Sequence, residues 1–277
     1  FVLLGALDVS CYLSQTSNDS LAYIKTLPWK RTFLPYKEEA WAVSGYLHTP
    51  EAFSLNSADS TLFSLERKPD LFLFVVESLR ADYLTEEITP NLAQFREDNY
   101  CFKNTLANAN CTHKSWFSIF YSLYPFYWTK YDPTHWKQGG IPLSLLKKMG
   151  YQIHVYASSR LGYYGMDERL FGEKRHLVEG LHEFGSNESI SPADTDQMAV
   201  EQLCADLHSS TKKGGRIFIL FLDGTHFGYS WPEQKKENFL PISDGLNYSD
   251  IIGKRHSIEL IQNRYKNALS AIDDLFA

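Results

Sequence analysis

The pattern of apolar and polar positions changes at residue 70. From Asp70 onward, apolar runs of strand length alternate with amphipathic stretches. Leu71–Val76 (LFLFVV) is a continuous apolar run, which predicts a central strand covered on both faces. Thr89-Pro90 opens a helix running to about residue 98, with Thr89 as cap and Pro90 in the first turn. A second strand is expected at 100–106, a helix at 114–123, and a helix at 143–149 stopped by Gly150. YQIHVYA at 151–157 predicts a further strand. The amphipathic helix at 193–210 carries acidic residues near its start, where the dipole favours them. Gly214-Gly215 leads into a second fully apolar strand at 217–222 (IFILFL); a surface loop at 229–253 and a long helix at 256–276 follow. Strand, helix, strand, helix with apolar strands predicts an α/β/α sandwich around a mostly parallel central sheet.

Residues 14–68 are mixed. A short helix is expected at 20–26, breaks at Pro28 and Pro35, and a second helical stretch at 37–47. The division expected is a lead-in over 1–67 and one α/β domain over 68–277. The opening FVLLGALDVSCYL is apolar, but it is interrupted by Asp8, is too short to span a bilayer and has no basic leader. It fits either a buried segment or the trailing end of a removed membrane anchor.

Composition narrows the function classes. The 277 residues, 44% hydrophobic and 15% aromatic, suffice for a sizeable core. The formal net charge of −6 argues against nucleic acid as the main partner. It leaves room for an anionic substrate, because a bound cation reverses the local sign. Four cysteines without CxxC or Cys/His finger spacing argue against a structural zinc site; pairing of Cys101 with Cys111, and the redox compartment, stay open.

In parallel sheets, ligands bind beyond the carboxyl ends of the strands. Glu77 follows the first apolar strand and Asp223-Gly224-Thr225-His226 follows the last, so the fold brings acid and imidazole groups to one edge. Taken singly, Glu77 fits a salt bridge to Arg80 or a helix cap, and His226 fits a satisfied loop histidine. NANCTHKSWFSIFYSLYP at 108–125 crowds Cys111, Thr112, His113, Lys114 and Ser115 before an aromatic helix. Asn110 or Thr112 there fits a helix cap. An anion site at the same helix start is compatible with that role.

VVESLRADYLTEEITPNLAQF at 75–95 resembles the opening of the sulfatase and alkaline-phosphatase superfamily, in which an apolar strand ends in a metal-binding acid. Aligning Tyr124-Pro125 with the Y-P of the family's C-x-P-S-R-A-S-L-L-T-G-x-Y-P segment puts Thr112 at the nucleophile position, with Ser118 at the first motif serine after the arginine. FLDGTHFGYSWP at 221–232 resembles the strand end whose histidine contacts substrate, and YKNALSAIDDLF at 265–276 the helix before the last metal-binding strand. The four blocks stand in family order over 68–277. Two departures matter: Thr112 replaces the cysteine that sulfatases convert to formylglycine, with Cys111 one place too early, and Trp116 stands where they carry arginine. Both disfavour ordinary sulfate-ester hydrolysis. Glu77 and Thr112 are instead similar to the pair in membrane-anchored phosphoethanolamine transferases and lipoteichoic acid synthases. The 221–232 block is also similar to inner-membrane sulfatase-like proteins, some of them regulators.

The resemblance implies a metal-dependent transfer or hydrolysis of a phospho-headgroup, of phosphoethanolamine or phosphoglycerol type, through a phosphothreonine at position 112. Glu77 and Thr112 would ligate a divalent cation, zinc or manganese, with magnesium and calcium as alternatives. His226 would hold a phosphate oxygen or protonate the leaving group, and Lys114 would supply the positive charge of the absent arginine, with His113 facing solvent. An Asp-His pair on a strand beyond Ala277 would complete the metal site, so this stretch would carry half of it and bind metal weakly, without activity by itself. Implied partners are a phospholipid headgroup donor and a lipid or glycan acceptor. The implied place is the periplasmic or extracellular face of a membrane, reached through an anchor upstream of residue 1. The alternatives are a sulfuric ester hydrolase and an inactive sulfatase-like domain that binds lipid or a protein.

Overall fold

The computed structural model describes residues 66–129, 136–187, 189–211, 214–243, 245–246 and 258–277. The helices expected at 20–26 and 37–47 lie outside the described residues, as does the lead-in up to residue 65. Among the described residues, four strands form one parallel sheet: β1 (Leu71–Val76), β2 (Gln152–Ala157), β3 (Gly180–Glu183) and β4 (Arg216–Leu222), in the order β1-β4-β2-β3. The α-helices among the described residues are α1 (Pro90–Asp98), α2 (Thr112–Tyr121), α3 (Ile141–Lys148), α4 (Met166–Phe171), α5 (Pro192–Ser209) and α6 (Ile258–Asp274).

β4 is buried along its whole length, and its alternation sorts the helices into two layers. Phe218, Leu220 and Leu222 pack with Ala199 and Leu203 of α5 and Ile272 of α6 on one face. On the other, the Trp116 ring of α2 stands edge-on to Phe221 at 5.2 Å. This is the expected α/β/α sandwich. Entry into β4 depends on Gly214, whose φ of 82° is left-handed and whose Cβ would lie 2.4 Å from the Lys68 carbonyl oxygen.

β4, rather than β1, is the covered central strand. β1 lies at the sheet's edge among the described residues, and Leu71, Phe72 and Phe74 are exposed there. Its apolar run carries more burying capacity than the described residues use. The strand expected at 100–106 does not form. That stretch is irregular and exposed, with no partner strand among the described residues to accept its backbone hydrogen bonds. The aromatic helix starts two residues earlier than expected, at Thr112. The short β3 and the six-residue α4 are additions to the predicted order.

Candidate functional site

Register decides what meets at the carboxyl edge. Val76 pairs with Leu222, so Glu77 and Asp223 leave the sheet side by side. The Glu77 N–H donates to the Leu222 carbonyl at 2.9 Å, and the Thr225 hydroxyl donates to the Glu77 carbonyl. The two turns that follow β1 and β4 are therefore tied to each other. Just past Glu77, Ser78 sits at φ 55°, a conformation that costs a non-glycine residue on the order of 1 kcal/mol. Tyr265 of α6 holds this bend: its hydroxyl donates to the Ser78 carbonyl at 2.8 Å and accepts from the Arg80 N–H at 3.0 Å. Burial pushes the Tyr265 hydroxyl up to about 12, so it stays a donor. Tyr265→Phe strands both backbone groups and is expected to cost about 1–2 kcal/mol in denaturant unfolding; an unchanged midpoint would show that the bend holds without them.

The helix α2 brings the second component. Trp116, Phe117, Phe120 and Tyr121 are buried and seat it on the sheet. Thr112 lies four residues before Trp116, hence on the same face one turn earlier, over the end of β1. Its hydroxyl donates to Glu77 Oε2 at 3.1 Å. Cys111 is the N-cap residue, with no side-chain cap bond, so neither Asn110 nor Thr112 caps the helix in the expected way. The first-turn N–H groups of α2 are left without a side-chain cap at an edge crowded with acids. Glu77 does not pair with Arg80, whose guanidinium holds Asp82 instead.

The other members of the run go elsewhere. Ser115 donates to the Ala109 carbonyl at 3.2 Å, and Cys101 and Cys111 are free thiols. Lys114, half-buried, stands two residues on from Thr112, about 200° round the helix. His113 does not face solvent as expected. Its ring packs between Trp128 at 5.0 Å and Tyr164 at 4.4 Å, because α2 turns that side toward the aromatic turns at 125–129 and 163–165. Burial, then the charges of Lys114 and Arg169, hold its pKa below the usual histidine range. Trp116, at the family's arginine position, and Ser118 belong to the core.

His226 is exposed and closes the 223–226 turn by donating its N–H to the Asp223 carbonyl at 2.9 Å. Asp196, on the first turns of α5, is buried and accepts from the Asp223 N–H at 2.7 Å and the Gly224 N–H at 2.8 Å. Burial pushes Asp196 up to about 6, against the pull of those donors. It pushes Asp223 up to about 7, with Glu77 and Asp196 adding to the rise and His226 opposing it. Both folded values lie above the ordinary carboxyl value, so both groups bind protons more tightly folded than unfolded. Their contribution to stability is present near pH 4 and is lost as pH rises through about 6 and 7. A urea midpoint lower at pH 7.5 than at pH 5, with the difference reduced in Asp223→Asn, is the expected result.

Of the predicted site residues, the structure joins Glu77 to Thr112 and sets His226 at the neighbouring strand end, beside Asp223. The donors present are oxygens, a carboxylate and a hydroxyl, with Asp223 adjacent; zinc, manganese, magnesium and calcium all accept such ligands. The negative charge of Glu77 that helps raise Asp223 is charge a cation would offset. Among the described residues, no group of three His, Cys, Asp or Glu side chains could hold a metal alone.

The sulfatase family model matches residues 69–276. The chain belongs to the sulfatase family. Two solved structures share its fold. One is a protein of the alkaline phosphatase superfamily from Vibrio parahaemolyticus, 17% identical with a TM-score of 0.51, covering 77% of this chain and 50% of its own. The other is the lipoteichoic acid synthase LtaP from Listeria monocytogenes, 19% identical with a TM-score of 0.52, covering 77% and 51% respectively. This sulfatase-family chain thus spans about half the length of both structures. No curated protein sequence matches it. Among the described residues, no helix is long and apolar enough to cross a membrane.

Proposed function

We propose that this sulfatase-family chain carries the nucleophile half of a metal-dependent enzyme that transfers or hydrolyses a phospho-headgroup, of phosphoethanolamine or phosphoglycerol type. The observation that carries the reading is the Thr112–Glu77 hydrogen bond, which joins residues 35 apart at the carboxyl edge of the sheet. One fold neighbour is a lipoteichoic acid synthase, which fits a phospholipid donor and a lipid or glycan acceptor at a membrane's periplasmic or extracellular face.

Glu77 and Thr112 would hold the divalent cation, zinc or manganese, with further ligands supplied from outside the described residues. When bound, the cation lowers the hydroxyl pKa and offsets the edge's negative charge. The chain's residues do the rest. Thr112 presents its oxygen at the uncapped start of α2, where backbone N–H groups favour a phosphoryl group. The Thr112 proton is held toward Glu77 Oε2. As the Thr112 oxygen–phosphorus bond forms, the bond from phosphorus to the leaving oxygen breaks and that oxygen takes a proton from His226. An acceptor hydroxyl, or water, then gives its proton to His226 as it attacks the phosphorus, the bond from phosphorus to the Thr112 oxygen breaks, and Thr112 takes its proton back from Glu77.

Incubating the full-length protein with phosphatidylethanolamine or phosphatidylglycerol vesicles, and then mapping threonine esterified by phosphoethanolamine or phosphoglycerol by mass spectrometry, tests the reading. Modification at Thr112 supports it. Headgroup transfer without it points to a different nucleophile. Neither transfer nor modification, with vesicle binding retained, points to a binding domain. Sulfate release from an aryl sulfate would establish the sulfuric ester reading.

A further inference from the structure

We propose that Asp196 is a positioning residue of this site, holding the 223–226 turn so that His226 is presented beside Glu77; the role in turnover rests on the reading above. Asp196 reaches the site from α5, a helix that the family blocks do not include. Its two carboxylate oxygens divide between two consecutive backbone donors, Asp223 N–H and Gly224 N–H, at 2.7 and 2.8 Å. The residue is 1% exposed, so no water competes for either bond. A fork held at both prongs fixes two successive peptide planes, that between Leu222 and Asp223 and that between Asp223 and Gly224. From the second plane the turn continues through the His226 N–H to the Asp223 carbonyl.

Two further contacts make the arrangement specific. A Cβ on Gly224 would stand 2.6 Å from Asp196 Oδ2, so the close approach requires glycine at 224, although its φ is not one that needs glycine. Opposite, the Ser230 N–H donates to the Gly224 carbonyl at 2.9 Å, and the Ser230 hydroxyl accepts from Ala193 N–H at 3.0 Å. The turn is thereby clasped to the start of α5 on both sides. With Thr225 bonded to the Glu77 carbonyl, rotation of the 223–224 peptide would shift His226 relative to Glu77. Asp194, two residues earlier, is exposed and bonds only to Ser191 within its own helix start, which makes it the natural control.

The test uses the full-length protein with Asp196→Ala, Asp194→Ala and Gly224→Ala. Headgroup transfer by Asp196→Ala is expected to show kcat lower by about 10²-fold with KM within about twofold, because misplacing a reacting group by an ångström has that effect. Asp194→Ala should match wild type. Independently of activity, hydrogen exchange should show protection lost at the Asp223 and Gly224 amides, and the labelled His226 imidazole resonance should move. If wild type shows no Thr112-dependent transfer, the proposed function fails while these two spectroscopic readouts still decide the positioning role. Retained amide protection, an unmoved His226 resonance, or a wild-type kcat in Asp196→Ala overturns the proposal. Should Asp196→Ala fail to fold, Gly224→Ala presses on the same carboxylate and is expected to move the His226 resonance; an unmoved resonance there overturns the proposal too.

Discussion

Thr112→Ala in the full-length protein is expected to abolish phosphothreonine formation and to lower headgroup transfer by at least about 10³-fold, as loss of a covalent nucleophile does. The folded state should barely notice. Trp116, Phe117 and Phe120 seat α2, and Thr112 contributes one half-buried hydrogen bond to Glu77, worth about 1 kcal/mol. Large loss of turnover with a small change in unfolding midpoint is therefore the signature. Thr112→Ser should recover part of the activity, since it restores the hydroxyl at the same helix position. Transfer unchanged in Thr112→Ala would remove the nucleophile assignment altogether. Ser115→Ala, whose hydroxyl bonds to the Ala109 carbonyl, should leave turnover intact.

The largest stability effect is expected at the other end of the chain. Asp273 is buried, and its carboxylate accepts from Asn91 N–H at 3.0 Å and Leu92 N–H at 2.8 Å. These are first-turn donors of α1 with no partner in their own helix. Thr89, the expected cap, points its hydroxyl back to the Thr85 carbonyl, so no local group replaces Asp273. Asp273→Ala is expected to cost about 3 kcal/mol in denaturant unfolding. The neighbouring Asp274→Ala breaks only an exposed pair with Lys235 and should cost no more than about 1 kcal/mol. Equal losses from the two would show that the cap carries no special weight.

The same pair of helices shows what a sequence reveals. α1 was readable at both ends, and so was the length of α6, yet the cap that joins them was not, because Asp273 lies far from α1 in the chain. β1 and β4 were legible because each is an apolar run between turn residues, and β2 because Ile153, Val155 and Tyr156 follow the break at Gly150; their parallel direction followed from the intervening helices. β3 is four half-buried residues, Gly-Leu-His-Glu, with no run to mark it. The segment at 100–106 has strand-forming residues but no partner, and pairing decides a strand more than propensity does. Near the strand ends, Glu77 and His226 were marked by their places after apolar strands, whereas Thr112, whose place alone fits a helix cap, was singled out by the family resemblance; the structure joins its hydroxyl to Glu77. Asp196 was hidden because an acid in the first turns of a helix already has an ordinary explanation in the dipole. Its burial and its turn toward β4 come only from packing. His113 was misplaced for the same kind of reason: the aromatic turns that enclose it are remote in sequence.

The exposed side chains of β1 bear on how the protein can be handled. Leu71, Phe72 and Phe74 lie on a strand whose outer edge is unpaired among the described residues. An open apolar edge is a template for another copy's strand. Residues 66–277 produced alone are therefore expected to self-associate and precipitate as their concentration rises, and light scattering would register this before any assay did. Charged substitutions at the exposed positions 72 and 74 should delay that onset. A negative activity result from the isolated piece would then report colloidal behaviour rather than chemistry.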